Sequence, residues 1–376
     1  MKVLTVFGTR PEAIKMAPVL LELNKHSSIE SLVCVTGQHR EMLDSVLSLY
    51  GIEPDFDLEV MRPNQTLTKM TAEIIRSFGE ILIRVKPDIL LLHGDTTTAL
   101  ASSVVAFYER VPIGHIEAGL RTNDINSPFP EEFNRQIISK STSIHFCPTQ
   151  SSKENLLREG FDPKSLVITG NTVIDSMMWV VDRLNGNAPI AQEMRTYFER
   201  LLNFPIEKAQ YILITGHRRE NFGSGFFEIC AALKDLATKW PALQFVYPVH
   251  LNPNVLTPVT NMLQGISNIH LIEPLGYEKF IYLMRHSYLV LTDSGGIQEE
   301  APSLGKPVLV MRDSTERPEA VIANTVRLVG ANREMIFSGV ELLLNDHVEY
   351  KKMSLAHNPY GDGTASKKIV KALLER

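Results

Sequence analysis

Residues 88–117, DILLLHGDTTTALASSVVAFYERVPIGHIE, decide the fold because they place a strand, a helix and a second strand in direct succession. The apolar run over 88–93 predicts a buried strand, the apolar spacing over 97–109 predicts a helix, and 111–116 predicts the next strand. A strand–helix–strand unit of this length pairs its strands in parallel. We therefore expect an α/β protein with a doubly wound parallel sheet.

The same alternation continues on both sides of this stretch. The first half of the chain has further apolar runs that predict strands over 2–7, 31–36 and 161–170, and helical spacing over 11–25, 41–50, 67–85 and 172–184. After a polar stretch the pattern restarts, with strands predicted over 211–216, 243–249, 269–272, 288–293 and 307–311. The chain is therefore expected to contain two doubly wound, Rossmann-like sheets.

Chain length agrees with two domains, because 376 residues exceed the usual size of one. We predict an N-terminal domain over 1–170 and a C-terminal domain over 171–363. A final helix over 364–376 is expected to pack back on the first domain.

The composition argues against several classes of protein. A net charge of −5 gives no basic face for nucleic acid, and no stretch approaches the ~20 apolar residues of a membrane span. The first apolar run is too short for a signal peptide. Cys34, Cys147 and Cys230 are far apart and match neither a metal site nor a disulfide framework. We expect a cytoplasmic protein without a membrane or nucleic-acid partner.

Three acidic residues lie where predicted strands give way to loops. Asp95 and Glu117 follow two consecutive apolar runs, and Glu131 stands beside Glu132 in the segment SPFPEE (127–132). Ligands of open α/β sheets bind at the carboxyl ends of the strands, so we expect these carboxylates to face one cleft. A cluster of this kind serves proton transfer or holds a metal ion.

Proton transfer explains these acids better than a metal. The histidines at 93, 115, 217 and 250 stand singly, without the i, i+4 spacing of a helical metal pair. No GxGxxG sequence follows the first strand and no Walker sequence is present, so no nicotinamide cofactor is predicted. Acids that share a dry cleft raise the pKa of at least one member, which allows an acid beside a base. The alternative is that some of them cap helices or pair with Arg121 and Arg135.

Two turns between a strand and a helix are candidates for anion contact. In the first, GTRPE (8–12), free backbone N–H groups together with Arg10 and Lys15 favour an anion, although a plain turn with solvated cations is the alternative. In the second, TDSGGIQEE (292–300), Asp293 or Ser294 is expected to cap the helix.

The paired glycines of the second turn let its first amides approach a diphosphate. Glu300 lies about one helical turn further on, where its carboxylate could accept hydrogen bonds from ribose hydroxyls. A capped helix with a flexible turn is the structural alternative, but it leaves the paired glycines and the acids that follow them unexplained.

Basic residues stand near this second turn. His217, Arg218 and Arg219 follow the first strand of the second half, where they could act on a leaving diphosphate; a basic surface loop is the alternative. Arg312 and Arg317 follow the last predicted strand, and Arg317 is the better phosphate ligand because its loop should lie beside Ser294. Such local positive charge would let a net-acidic protein bind an acidic substrate.

Several of these segments resemble the non-hydrolysing UDP-N-acetylglucosamine 2-epimerases. The resemblance runs in order along nearly the whole chain, and several of its motifs are specific to this family. It rests on FGTRPEAIKMAP (7–18), HGDTTT (93–98), HIEAGLRT (115–122), PFPEE (128–132), TGHRRE (215–220), YPVH (247–250), DSGGIQEEAPSLGKP (293–307), TERPE (315–319) and NPYGDG (358–363).

The resemblance implies the two-domain GT-B arrangement, an active site in the interdomain cleft and a homodimer. It also implies interconversion of UDP-GlcNAc and UDP-ManNAc by anti elimination of UDP to 2-acetamidoglucal, followed by re-addition of UDP. It requires neither a metal nor another cofactor.

Site residues are assigned by the same resemblance, motif by motif. The implied catalytic residues are Asp95, Glu117, Glu131 and His217. The implied UDP-binding residues are Arg10, Lys15, Phe280 (at the uracil), Ser294, Gly295, Gly296, Glu300 and Arg317.

The family's bacterial members are activated by UDP-GlcNAc at a second site. The loop QHRE (38–41) matches the one that helps form this second site, which assigns Gln38 and Glu41 to it. Arg218 would line both this site and the active site. Some relatives carry Gln at the position of Glu41. They also carry Gln near the uracil, where this chain has Leu275.

Three other activities stay open at this stage. A hydrolysing relative would release UDP and free ManNAc. A retaining glycosyltransferase of the same fold would need the nucleotide site but not three acids, and a sensor would need no turnover.

Overall fold

The computed structural model describes residues 1–37, 40–62 and 65–375, apart from the side chains of residues 40–42. The chain forms two compact units. The first comprises Met1–Ser176 and Tyr360–Arg376, and the second comprises Met177–Pro359. Within the described ranges, no helix is long and apolar enough to cross a membrane.

The first unit alternates strands and helices along the chain. Its strands are β1 (Lys2–Phe7), β2 (Glu30–Val35), β3 (Phe56–Asp57), β4 (Ile89–His93), β5 (Ile113–Ile116), β6 (Ile144–Cys147) and β7 (Leu166–Ile168). Its helices are α1 (Arg10–Leu23), α2 (Arg40–Tyr50), α3 (Leu67–Val85), α4 (Thr97–Tyr108), α5 (Glu131–Ser141), α6 (Gln150–Arg158) and α7 (Thr172–Gly186), the last of which begins in this unit.

These seven strands form one parallel sheet in the order β3-β2-β1-β4-β5-β6-β7. The strand order reverses between β1 and β4, and such a switch point opens a crevice at the carboxyl ends of the two strands. The central strands β1 and β4 are mostly apolar and, apart from Lys2, buried, as parallel strands with helices on both faces must be. One core cluster packs β1 and β4 against α3 and α4.

The second unit repeats this plan. Its strands are β8 (Tyr211–Thr215), β9 (Gln244–Pro248), β10 (Ile269–Ile272), β11 (Leu289–Thr292), β12 (Val308–Val310) and β13 (Val326–Leu328). Its helices are α8 (Ala188–Leu202), α9 (Ser224–Lys239), α10 (Pro253–Leu263), α11 (Tyr277–His286), α12 (Gly295–Glu300), α13 (Pro318–Ile322), α14 (Arg333–Asn345) and α15 (His347–Ser354). The last helix, α16 (Ala365–Leu374), belongs to the first unit.

The second sheet is also parallel, in the order β10-β9-β8-β11-β12-β13. Its switch point lies between β8 and β11, so the loops after these two strands meet at one edge. Helices α9, α10 and α14 cover the sheet with apolar side chains, among them Phe226, Val259 and Val340. The predicted α/β class with two Rossmann-like parallel sheets is confirmed.

Several predicted elements differ from the structure. The strand expected over 161–170 is only three residues long, because a 3₁₀ turn at Pro163–Ser165 occupies its first part. Helix α8 was not predicted: it begins within the polar stretch over 185–189, and Asn187 caps it by accepting a hydrogen bond from the N–H of Ile190. A proline in the first turn is compatible with a helix start.

Candidate active site

The acids of the first unit lie at the switch-point edge of its sheet. β4 and β5 are neighbours, with His93 paired to Ile116, so the residues that follow them emerge side by side. Asp95 follows β4 and Glu117 directly follows β5. Glu131 is the first residue of α5.

Glu117 is held in place from two directions. Its backbone has a φ of 64°, in the left-handed region that residues other than glycine rarely adopt. Its Oε2 atom accepts a hydrogen bond of 2.9 Å from Asn171 Nδ2 and forms an ion pair with Lys15 Nζ. The carboxylate therefore has a defined orientation and a nearby positive charge.

Asp95 forms an ion pair with Arg135, whose NH2 atom lies 2.7 Å from Asp95 Oδ2. Burial raises the pKa of Asp95, the positive charge of Arg135 opposes that rise, and the negative charges of Glu117 and Glu131 add to it. The three predicted acids therefore interact electrostatically. The alternative interpretation, that one of the acids pairs with Arg135, is also correct, because Asp95 does so.

Glu132, beside the predicted Glu131, has a structural role. Its carboxylate accepts hydrogen bonds from the backbone N–H of Thr122 at 3.0 Å and from Gln136 at 3.1 Å, and it pairs with Arg135 at 3.2 Å. Burial alone would raise the pKa of Glu132, but these partners outweigh it and lower the pKa. Glu132 thereby fastens the loop before α5 to the helix.

The first turn, GTRPE, differs from its prediction. The amides of Gly8 and Thr9 are not free to bind a ligand, because both donate hydrogen bonds to Glu12 Oε2, at 3.0 and 2.8 Å. Glu12 also accepts a hydrogen bond of 2.6 Å from the hydroxyl of Thr96, the residue that caps α4. Glu12 therefore joins the loops after β1 and β4, and the positive charge in this turn comes from side chains such as Lys15 rather than from free amides.

In the second unit, Asp293 organises the loops at the switch point. Its buried carboxylate accepts hydrogen bonds from the backbone N–H groups of His217 and Arg218, at 3.0 and 2.9 Å, and from Asn221 Nδ2 at 3.2 Å. Of the two residues predicted to cap α12, Asp293 or Ser294, Asp293 is therefore not the cap. Ser294 occupies the N-cap position, although its side chain makes no capping hydrogen bond.

His217 is half exposed and stacks on His250, with ring centroids 5.5 Å apart. Burial lowers the pKa of His217, while Asp293, 3.8 Å from its Nδ1 atom, opposes the shift. The imidazole therefore favours its neutral form, which can donate one hydrogen bond and accept another.

Two guanidinium groups lie against the start of α12. A Cβ atom added to Gly295 would stand 3.6 Å from Arg218 NH2 and 3.7 Å from Arg317 NH2. A larger side chain at Gly295 would therefore compete for space with both cations. The helix start and two arginines together form a strongly anion-attracting surface.

Acidic neighbours fix the arginines of this surface. Arg317 Nε donates a hydrogen bond of 2.5 Å to Glu299, and Arg312 pairs with Glu220. Glu316 lies within 4 Å of Arg218, Arg312 and Arg317. Burial would raise the pKa of Glu316, but these three positive charges reverse the shift and lower it.

Glu300 and Phe280 are connected through α11. The hydroxyl of Tyr277, the first residue of that helix, donates a hydrogen bond of 2.7 Å to Glu300 Oε1. Phe280 lies one turn further along α11 and is partly buried. The carboxylate of Glu300 is therefore bonded to the helix that carries Phe280.

The predicted residues thus fall into two groups. Arg10, Lys15, Asp95, Glu117 and Glu131 lie in the first unit, and His217, Arg218, Phe280, Ser294, Gly295, Gly296, Glu300 and Arg317 lie in the second. Gln38 lies outside the described residues, as does the side chain of Glu41.

Three supporting roles were not predicted from the sequence: those of Glu12, Asn171 and Asp293. The sequence does contain a signal for Glu12, because Thr9 and Glu12 have the spacing of a capping box. Asn171 has none, since it is 54 residues from its partner Glu117.

The chain is similar to known proteins over almost its whole length. The family model described as UDP-N-acetylglucosamine 2-epimerase matches residues 21–374. The UDP-N-acetylglucosamine 2-epimerase of Yersinia pestis is 57% identical over 99% of this chain and 98% of its own, and that of Escherichia coli K12 is 56% identical over the same shares. A crystal structure of the Neisseria meningitidis UDP-GlcNAc 2-epimerase bound to UDP-GlcNAc is 53% identical, covers 100% of both chains and has a TM-score of 0.92.

Proposed function

Because this chain belongs to the UDP-N-acetylglucosamine 2-epimerase family, we propose that it interconverts UDP-GlcNAc and UDP-ManNAc without net hydrolysis. Membership makes it an epimerase of nucleotide-sugar metabolism. The finer proposal adds a reversible, non-hydrolysing reaction. It is supported by the acids of the first unit and the anion-attracting surface of the second.

The proposed reaction is an elimination followed by an addition. A carboxylate takes the proton from C2 while the C1–O bond breaks, and UDP leaves with the bonding electrons to give 2-acetamidoglucal. The UDP oxygen then adds again to C1, and a proton returns to C2 from the opposite face. No oxidant or reductant enters, so the atoms and electrons balance without a redox cofactor.

Asp95, Glu117 and Glu131 are proposed to carry these proton transfers. The observation that carries the proposal is that Asp95 and Glu117 follow the neighbouring strands β4 and β5 but have different ion-pair partners. Acids whose environments differ in this way suit a site that needs both a proton donor and a base. His217 is proposed to assist at the departing diphosphate.

The nucleotide is proposed to bind through the surface at the start of α12. Arg317, Ser294 and the amides of Gly295 and Gly296 would face the diphosphate, as two guanidinium groups beside Gly295 support. Glu300 would accept hydrogen bonds from the ribose. In the same proposal Phe280 contacts the uracil, and Arg10 and Lys15 add positive charge from the first unit.

Activation by UDP-GlcNAc at a second site is a further part of the proposal. Gln38, Glu41 and Arg218 are its proposed ligands. Arg218 supports it because its guanidinium lies beside Gly295, next to the proposed diphosphate position.

We further propose a homodimer formed through the α4–α5 surface, which consists of Phe107, Tyr108, Phe129, Phe133 and Ile137. Tyr108 and Phe129 are 72% and 70% exposed. They stand beside apolar depressions of about 260 and 620 Å³. A symmetric interface needs protruding groups and recesses on one surface, and exposed apolar patches of this kind mark protein contacts.

In the cell, the protein is proposed to act in the cytoplasm. Its product would supply ManNAc for surface polysaccharide synthesis. The three free cysteines are buried, which agrees with a reducing compartment.

Proton NMR of UDP-GlcNAc with the enzyme in deuterated water tests the reaction. We expect UDP-ManNAc deuterated at C2 in equilibrium with UDP-GlcNAc deuterated at C2. Accumulation of UDP and free ManNAc would instead indicate the hydrolysing reaction. Absence of deuterium at C2 would refute proton abstraction there and favour a glycosyltransferase or a sensor.

A further inference from the structure

His93 differs from the other buried histidines of the described chain, because neither of its ring nitrogens has a hydrogen-bond partner there. It is the last residue of β4 and is 3% exposed. His115 and His145, buried on the next two strands, each place Nε2 against a backbone oxygen, at 2.7 and 3.2 Å. An imidazole that loses its hydration without recovering a hydrogen bond is costly, so its presence needs another explanation.

The nearest ionisable group to His93 is at the proposed site. Nε2 of His93 lies 3.8 Å from Oε2 of Glu117, which is slightly beyond hydrogen-bond distance. Asn171 Nδ2 donates to this same oxygen, and Lys15 pairs with it. Three nitrogen groups from three parts of the chain thus converge on one oxygen of one carboxylate.

His93 is uncharged at neutral pH. Burial lowers the pKa of His93 to about 4; the negative charge of Glu117 opposes this shift and the positive charge of Lys15 adds to it. A neutral imidazole carries one N–H donor and one acceptor. Such a donor can orient a carboxylate without cancelling the negative charge that a base requires, whereas the ammonium of Lys15 partly cancels it.

We propose that His93 is a positioning residue for the C2 chemistry: its Nε2–H, 3.8 Å from Glu117 Oε2, orients this carboxylate electrostatically beside the hydrogen bond from Asn171, so that the carboxylate meets the sugar in one orientation. The inference rests on the proposed function, since it assumes that Glu117 transfers the proton. His93 itself touches neither the sugar nor the nucleotide in this proposal.

A matched pair of variants measures the contribution of the N–H donor of His93. Glutamine and methionine have nearly the same length and shape, but only glutamine offers an N–H group. We expect His93→Met to lower kcat about 10- to 100-fold, the scale of a misplaced reacting group, with an unchanged Kd for UDP. His93→Gln should keep most of the turnover. The same two changes at His145, which does not contact Glu117, should give kcat values equal to each other.

Equal kcat values for His93→Gln and His93→Met, whether both normal or both low, would overturn the proposal. A parallel loss of UDP affinity would also overturn it, because it would indicate general damage to the site. Thermal melts check folding, and if His93→Met does not fold, His93→Leu takes its place in the comparison with His93→Gln. Failure of the proposed function is distinguished by the wild-type enzyme alone, which would then incorporate no deuterium at C2.

Discussion

At the scale of single residues, Glu117 is where the contacts of the first unit converge. Its left-handed backbone costs about 1–3 kcal/mol, a strain that proteins retain mainly at functional sites. Glu117→Gln preserves the shape of the side chain but removes its charge and its basicity. We expect turnover to fall at least ~10²-fold, the scale of general acid–base catalysis.

The Kd for UDP should stay the same in that variant, because the proposed UDP ligands are other side chains. Calorimetric titration with UDP and the deuterium NMR assay measure the two quantities separately. Near-normal turnover in Glu117→Gln would remove this residue from the reaction.

Arg317 provides the corresponding test in the second unit. Its guanidinium lies beside Gly295 and is fixed by Glu299, so a bound diphosphate would find it already in place. A charge-assisted hydrogen bond contributes about 1.5–3 kcal/mol, so Arg317→Ala should weaken UDP binding about 10- to 100-fold. Arg327→Ala is the control, since Arg327 pairs with Glu349 instead. If both variants bound UDP like the wild type, Arg317 would not be a ligand.

At the scale of elements, Glu132 connects the loop at Thr122 to the first turn of α5. The pKa of Glu132 is lowered from its usual value of 4.5, so its contribution to stability is present above pH 4.5 and is lost as the pH falls through the lowered folded-state pKa. Glu132→Gln should reduce the free energy of unfolding at pH 7 by roughly 1–3 kcal/mol.

That deficit should shrink when urea unfolding of wild type and variant is compared below pH 4.5. Glu131→Gln, one residue earlier on the same helix, should change stability by no more than about 0.5 kcal/mol at either pH. A deficit for Glu132→Gln that is the same at both pH values would contradict a role for its charge.

The elements also explain which parts of the site were predictable. Asp95 and Glu117 could be found because they end long apolar runs, and in a parallel sheet such positions lie at one edge. Strands β6 and β13, which were not predicted, have only four and three residues, too few to establish a period. Contacts such as that of Asn171 with Glu117 depend on tertiary packing, which local patterns do not encode.

At the scale of the whole molecule, the sequence predicts two parallel sheets because the apolar runs are strong and regularly spaced. It does not indicate that both sheets reverse their strand order at corresponding strands, β1 and β4 in one and β8 and β11 in the other. That correspondence explains why the predicted groups of each unit follow these strands or their neighbours. The fold therefore determines where chemistry can occur, and the side chains there determine which chemistry it is.

The α4–α5 surface gives the prediction at this scale. A dimer should have a mass of twice 42.2 kDa, measured by light scattering after size-exclusion chromatography. Tyr108→Glu would place a charge where we propose that the partner covers an apolar side chain, and burying an unpaired charge is strongly unfavourable. This variant should therefore elute as a monomer of 42.2 kDa.

Leu355→Glu is the matched control for the dimer, because Leu355 is 79% exposed but belongs to the second unit. It should retain the dimer mass. A dimer that survives Tyr108→Glu but dissociates in Leu355→Glu would move the interface to the second unit. A wild-type mass of 42.2 kDa at micromolar concentration would refute the dimer itself.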